Sequence, residues 1–196
     1  MSETTDFWAG DFGRDYTQRN RVDWKQRIPF WESAVQFCAP TTVLEVGCNA
    51  GWNLRAIQQC APGAELYGVD VNAEAVEEAR QAGFEVQHTD ALGIIGLHQQ
   101  GSIDLVFTAG VLIHVAPQDL ESVMRAIIAV SGRYVIAVEY NSDETEEVEY
   151  RGHSGRLWKR PYGKLYEALG LKLLSYGDAG GFDQCTYYLL EKGGTE

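Results

Sequence analysis

The apolar run Thr42-Val-Leu-Glu-Val46 stops at Gly47, turns through Cys-Asn-Ala, reaches Gly51 and opens a helical segment from Asn53 to Gln59. A β-branched strand that ends in small residues and feeds a helix restricts the chain to folds of parallel strands and crossover helices. Gly47 and Gly51 lack a Cβ, so backbone there can approach a ligand closely. Asn49 stands where a third glycine is often found, and asparagine is the next-best residue for left-handed backbone. The bland alternative is a tight strand-to-helix turn that holds nothing.

The rest of the chain repeats the alternation. Glu65 to Val69 reads as a second strand, Phe84 to His88 as a third, Ile103 to Thr108 as a fourth and Tyr134 to Tyr140 as a fifth. Asn72 caps a helix through Gln81, with Ala75, Val76, Ala79 and Ala82 on one face and Gly83 ending it. Pro117 suits the first turn of a helix whose Leu120, Val123, Met124, Ile127 and Ile128 recur at helical spacing. Pro161 to Leu169 is a short helix stopped by Gly170. Leu171 to Tyr176 and Cys185 to Leu190 form a terminal hairpin around a glycine-rich loop. The predicted fold class is α/β and Rossmann-like: a seven-stranded, mostly parallel sheet with a terminal antiparallel hairpin. Residues 1–40 are expected to form an N-terminal helical lid segment on a single domain of residues 41–196.

Two acids give the glycine loop a chemical meaning. Asp70 ends the second strand, placed to bond two ribose hydroxyls. Asp90 follows the third strand, where its side chain can accept from an adenine amino group. An adenosyl ligand is therefore expected. A dinucleotide fits less well: its G-x-G-x-x-G pattern is absent, and Glu45 opposes a pyrophosphate but helps a sulfonium and an ammonium. The Tyr188 and Lys192 pair that a short-chain dehydrogenase needs on a helix falls in a predicted strand.

Composition narrows the partners. The 196 residues, 45% hydrophobic and 22% charged, suit one globular domain. No stretch reaches the roughly 20 apolar residues of a membrane span, and Met1 to Asp11 lacks a leader's apolar core. Cys38, Cys48, Cys60 and Cys185 form no C-x-x-C pair, so free thiols, no metal and a cytoplasmic location are expected. The net charge of −12 disfavours nucleic acid. A small-molecule partner and a monomer or homodimer are expected.

Thr41 to Lys192 resembles a class I S-adenosylmethionine-dependent methyltransferase, a Rossmann-like methyltransferase fold. The resemblance implies that Gly47, Asn49 and Gly51 contact the methionine and sugar, Asp70 with Val71 the ribose, and Asp90 with Ala91 the adenine. Backbone from Thr108 through Gly110 to Val111 would border the methionine. A narrower likeness rests on Trp8-Ala-Gly-Asp-Phe-Gly-Arg-Asp-Tyr16 with Arg19-Asn20, and on Gly47-Cys-Asn-Ala-Gly-Trp-Asn-Leu-Arg55. It continues through Gly110-Val-Leu-Ile-His114, Glu139-Tyr140, Tyr150-Arg-Gly152 and Lys159-Arg160. These are similar to methylases associated with pseudaminic acid biosynthesis, although Pro161-Tyr162 departs from the acid-aromatic pair expected there.

The remaining candidates concern the acceptor. His114 lies past the fourth strand, with a pKa range suited to a base; otherwise it bonds backbone and orients the loop. Glu139 and Tyr140 end the fifth strand on the same rim. Asp143 to Glu149 holds five acids in seven residues, read as a solvated face. Arg151, Arg156, Lys159 and Arg160, with Tyr150, follow as a grip for a carboxylate or phosphate; the alternative is pairing between the two runs. Phe7 to Arg27 would close over the cofactor, with Tyr16 on its methionine part and Arg19 or Arg27 on its carboxylate. The expected activity is O- or N-methylation of a small, polar, anionic metabolite. Methylation of RNA or protein, or a silent cofactor-binding module, are the alternatives.

Overall fold

The computed structural model describes residues 3–193. Seven strands form the main sheet: β1 (Thr42–Val46), β2 (Glu65–Asp70), β3 (Glu85–His88), β4 (Ile103–Ala109), β5 (Ser131–Glu139), β8 (Leu171–Asp178) and β9 (Thr186–Lys192), in the order β3-β2-β1-β4-β5-β9-β8. The first five are mutually parallel, and β9 is antiparallel to both its neighbours. The expected Rossmann-like methyltransferase fold with its terminal hairpin is therefore present. Val46 pairs with Val69 and Thr108, so the carboxyl ends of β1, β2 and β4 reach one rim.

Strands covered on both faces must be apolar on both. On one face Val43, Leu105, Phe107, Ile136 and Val138 pack with α3 (Ile28–Cys38) and α4 (Trp52–Cys60). Trp31 of α3 is wholly buried, its ring 4.4 Å from Phe107, so part of the N-terminal aromatic content is core. On the other face Leu44, Val46, Val106, Val135 and Ala137 meet α7 (Pro117–Val130) and α8 (Tyr162–Ala168). The helix α5 (Ala73–Gln81) starts at Asn72, whose side chain accepts from the Glu74 and Ala75 amides.

The fifth strand begins earlier than its composition predicts. Chain leaves α7 at Val130 and enters β5 at Ser131 with no loop. Gly132, which reads as a turn signal, lies against the Gly101 carbonyl, where a Cβ would come within 2.6 Å.

The N-terminal segment forms α1 (Glu3–Ala9), α2 (Asp11–Arg19) and a 3-10 turn at Trp24–Arg27. Residues 144–160 carry a small ribbon, β6 (Glu146–Glu147) against β7 (Trp158–Lys159), which pairs the acidic run with the basic one through backbone. All five acids of 143–149 are exposed. The four cysteines are free, and the described residues contain no group of acids, histidines or cysteines able to hold a metal. No helix among them is long and apolar enough to cross a membrane.

Candidate active site

At the carboxyl rim of β1, β2 and β4 lies a cavity of about 590 Å³, within the range of small-molecule sites. Its floor follows from the glycine loop. Gly47 and Cys48 donate to the Val69 carbonyl at 2.8 and 3.0 Å, which carries the β1–β2 pairing past the strand end. Gly47 has φ 75°, and a Cβ there would meet Val111 at 2.4 Å. Asn49 adopts φ 47°, the left-handed backbone expected of it, and Gly51 caps α4 at φ 76° without lining the cavity.

Asp70 ties the floor together. One carboxylate oxygen accepts from the Asn49 amide at 2.7 Å and the other from the Asn72 amide at 2.8 Å. Each oxygen retains a lone pair, and the group lines the cavity beside Val71. Burial raises its pKa against those amides. Asp90 accepts from the Leu92 and Gly93 amides at 3.1 and 2.9 Å and lines the same wall with Ala91.

Glu45 carries a buried oxygen with no partner. It is buried in β1, with one oxygen accepting from Asn53 Nδ2 at 2.6 Å and the other without a partner. Burial pushes its carboxyl up to about 8, against Asn53 and Arg27. Asn53 in turn accepts from Arg27 at 2.9 Å and from Trp31 at 3.3 Å. Arg27 Nε, Trp8 Nε1 and Trp52 Nε1 are also buried and unpartnered, and all these residues line the cavity. Native interiors leave few polar atoms unpaired, so such a set around one cavity fits a polar ligand. The unpaired acid suits a cation, and the guanidinium beside it a carboxylate, as the charged ends of a methionine moiety require.

The roof is built from distant segments. Trp8, Tyr16 and Arg27 line it, as do Thr4 and Thr5. Gly110 and His114 join from beyond β4. His114 Nδ1 bonds the Arg156 carbonyl at 2.6 Å; a carbonyl only accepts, so Nδ1 carries the proton and Nε2 the free lone pair. Burial lowers its pKa to about 4, so the ring is neutral. Its ring centroid lies 4.5 Å from Trp8 and 5.0 Å from Tyr150.

Several of the expected site residues lie away from the cavity wall. Glu139 does not line the cavity; one oxygen accepts from the Val111 and Leu112 amides and the other from Ile113, at 3.1–3.3 Å. Burial pushes its carboxyl up to about 7, countered by Thr108 and those amides. Arg160 is 1% exposed and donates to the Leu112 and Val115 carbonyls at 2.8 and 2.7 Å. Both therefore clamp the turn that carries His114. Arg156 pairs with Glu3 at 2.6 Å and sits over Phe7. Arg151 occupies an exposed hairpin tip at φ 52°, stacked on Tyr150. The backbone of Lys159 pairs with Glu146 in the ribbon, and Arg19 lies over Phe12 and Tyr16. None of these, nor Thr108, Tyr140 or Tyr150, lines the cavity.

The structure also adds residues. Asn53 is a polar residue on the buried side of an amphipathic helix, opposite the one acid of an apolar strand, and that pairing is a signal a sequence carries. Thr17, Trp52 and Asp119 gave none.

A family described as "methyltransferase domain" matches residues 43–132. A search of curated proteins found no match. Among solved structures, magnesium protoporphyrin IX methyltransferase from Synechocystis PCC 6803 with bound S-adenosylmethionine superposes with a TM-score of 0.69 at 16% identity, covering 98% of this chain and 99% of that one. The 1,6-didemethyltoxoflavin-N1-methyltransferase of Burkholderia thailandensis gives 0.72 at 16%, over 96% and 86%. Human N-acetylserotonin methyltransferase gives 0.73 at 18%, over 97% of this chain and 59% of its own. At such identities the likeness is one of fold.

Proposed function

We propose that this S-adenosylmethionine-dependent methyltransferase domain methylates an oxygen or nitrogen of a small polar molecule, with His114 as the base. The observation that carries the reading is that one cavity joins Glu45, Asp70 and Asp90 to His114. The three solved structures compared above are named for small-molecule methylation, which supports the same class of acceptor.

When bound, the cofactor would supply an activated methyl group on a sulfonium, with a neutral thioether as the leaving group. Asp70 would hold the ribose hydroxyls, Asp90 and Ala91 the adenine edge, Glu45 the ammonium and Arg27 the carboxylate. The acceptor would lie in the cavity against the wall that Trp8 and His114 form together, which would orient its lone pair for transfer. His114 Nε2, its lone pair left free by the Nδ1 bond to the Arg156 carbonyl, would take the proton that the acceptor oxygen or nitrogen loses. The aromatic roof of Trp8 and Tyr16, backed by Phe12 and Tyr150, would exclude water.

The anionic acceptor expected from the basic run loses its support, since Arg156 and Arg160 are engaged elsewhere. Among the described residues Asp70, Asp90 and Asp119, with Glu45 once it ionises, line the cavity against Arg27 alone. A neutral or cationic acceptor fits this charge better than the sugar acid that the pseudaminic-type resemblance implies.

The test is incubation with labelled cofactor and a pooled metabolite extract, reading single-methyl mass shifts. The expected products are uncharged or amine-bearing. Products carrying carboxylate or phosphate overturn the charge assignment; tight cofactor binding without any product favours a silent binding module.

A further inference from the structure

We infer that Thr17 and Asn49 form a latch that makes closure of the α1–α2 roof depend on cofactor in the Asp70 site. This rests on the cofactor reading above and concerns residues to which that reading gives no such role. Thr17 is 3% exposed although it lies on a helix whose outer face is charged. Its hydroxyl donates to the Gly13 carbonyl at 3.2 Å and accepts from two asparagine side chains, Asn49 Nδ2 at 3.1 Å and Asn72 Nδ2 at 3.3 Å. The backbone amides of those two asparagines are the groups that Asp70 holds. One carboxylate thus fixes both loops, and one roof hydroxyl senses both.

The other polar ties of this segment to α5 are exposed: Arg14 and Gln18 of α2 meet Glu74, and just past the helix Arg21 meets Glu78. Exposed pairs of this kind contribute little, and the packing of Phe12 on Tyr150 and His153 is apolar and far from the Asp70 loops, so the buried node is the polar anchor that reaches those loops. Gly13 adds the second half of the device. A Cβ there would meet the Trp8 carbonyl at 1.8 Å and Asn72 Nδ2 at 3.3 Å, so α1, α2 and the Asn72 cap lie in direct contact. Tyr16, beside Thr17, and Trp8, on α1, both line the cavity. Anchoring Thr17 therefore seats the aromatic wall against His114.

A ribose that donates to the remaining lone pairs of Asp70 stiffens the loops from which Asn49 and Asn72 project. By reciprocity, whatever tightens the loops for the roof tightens them for the cofactor. The acceptor chamber is then completed after the cofactor is seated. Asparagine at position 49 gains a reason: glycine would accept the left-handed backbone but cannot donate to Thr17.

The test uses the full chain and S-adenosylhomocysteine, with tryptic cleavage at Arg14, Arg19, Arg21 and Lys25 as the report on the roof. Calorimetry on the unaltered protein comes first; absence of binding there removes the cofactor reading itself. Given binding, the compound should slow cleavage of the unaltered roof. Thr17→Val and Asn49→Gly should each lose about tenfold of that protection, the scale of one buried hydrogen bond with its partner left unsatisfied. Thr17→Ser should retain it. The double variant should match Thr17→Val, which already removes the Asn49 contact along with the Asn72 one. Undiminished protection in either single variant, failure of serine to rescue, or additive losses would overturn the latch.

Discussion

The floor and the roof of the cavity are made by opposite means. The floor draws on Glu45 to Gly51, Asp70 to Asn72 and Asp90 to Gly93, each a short stretch at the tip of a strand. Its contacts are mostly backbone amides to side-chain acceptors within those stretches. The roof draws on α1, α2, the turn at 112–114 and the loop at 144–160, and its contacts span the chain. His114 leans on the Arg156 carbonyl, Arg156 on Glu3, and Trp8 on His114. A local floor fixes one invariant ligand, whereas a long-range roof can be changed by altering any of its segments. Cofactor affinity should therefore belong to the floor and turnover to the roof.

The largest expected effect tests the roof. In His114→Asn, the amide nitrogen can replace Nδ1 in donating to the Arg156 carbonyl, while the basic nitrogen is lost. General-base removal costs ~100- to 10,000-fold in kcat. Affinity for S-adenosylhomocysteine should change little. The unaltered enzyme should lose activity as pH falls through about 4, where His114 protonates, and the variant should lack that limb. Turnover preserved in the variant would remove His114 from proton transfer. A matching loss of cofactor affinity would erase the division between roof and floor.

Asp70→Ala is the reciprocal case. It removes a carboxylate that accepts two amides and, in this reading, two ribose hydroxyls. Hydrogen bonds to a charged group contribute ~1.5–3 kcal/mol each, so the two ribose bonds alone predict a loss of at least about 100-fold in cofactor affinity. With cofactor at saturation, kcat should fall much less. Measuring the dissociation constant by calorimetry and kcat at high cofactor separates the two. An unchanged dissociation constant would move the ribose elsewhere.

The same division explains what the sequence made legible. The floor could be read because glycine spacing, strand ends and the acids that follow them are local signals. Asn49 was placed in left-handed backbone from its identity alone, and its φ of 47° agrees. The roof could not be read from proximity in sequence. Glu139 and Arg160 stood out as charged residues at the right rim, yet their charges are spent on the amides and carbonyls of residues 111–115. A buried guanidinium that satisfies backbone looks, in a sequence, the same as one that grips a ligand. Thr17 carried no signal, because its partners lie 32 and 55 positions away.

The smallest expected effect falls where floor and roof meet, at Glu45, on β1 yet linked through Asn53 to Arg27. Burial holds its carboxyl near 8, so at pH 7 it is largely protonated before cofactor arrives. An arriving ammonium stabilises the ionised form, so binding at pH 7 should release a proton, and affinity should rise toward pH 8. Calorimetry in buffers of different ionisation enthalpy measures that release. Folding responds with the opposite sign. Because the folded pKa lies above that of the unfolded chain, the native state binds the extra proton between about 4.5 and about 8, and this group's contribution to stability declines as pH rises through that interval. Glu45→Gln should abolish the proton release, weaken cofactor binding about tenfold for one lost charged contact, and flatten the decline in melting temperature toward pH 9. Proton release that persists in the variant would assign the titration to Asp70, the other cavity acid whose pKa burial raises, and place the cation on a different wall.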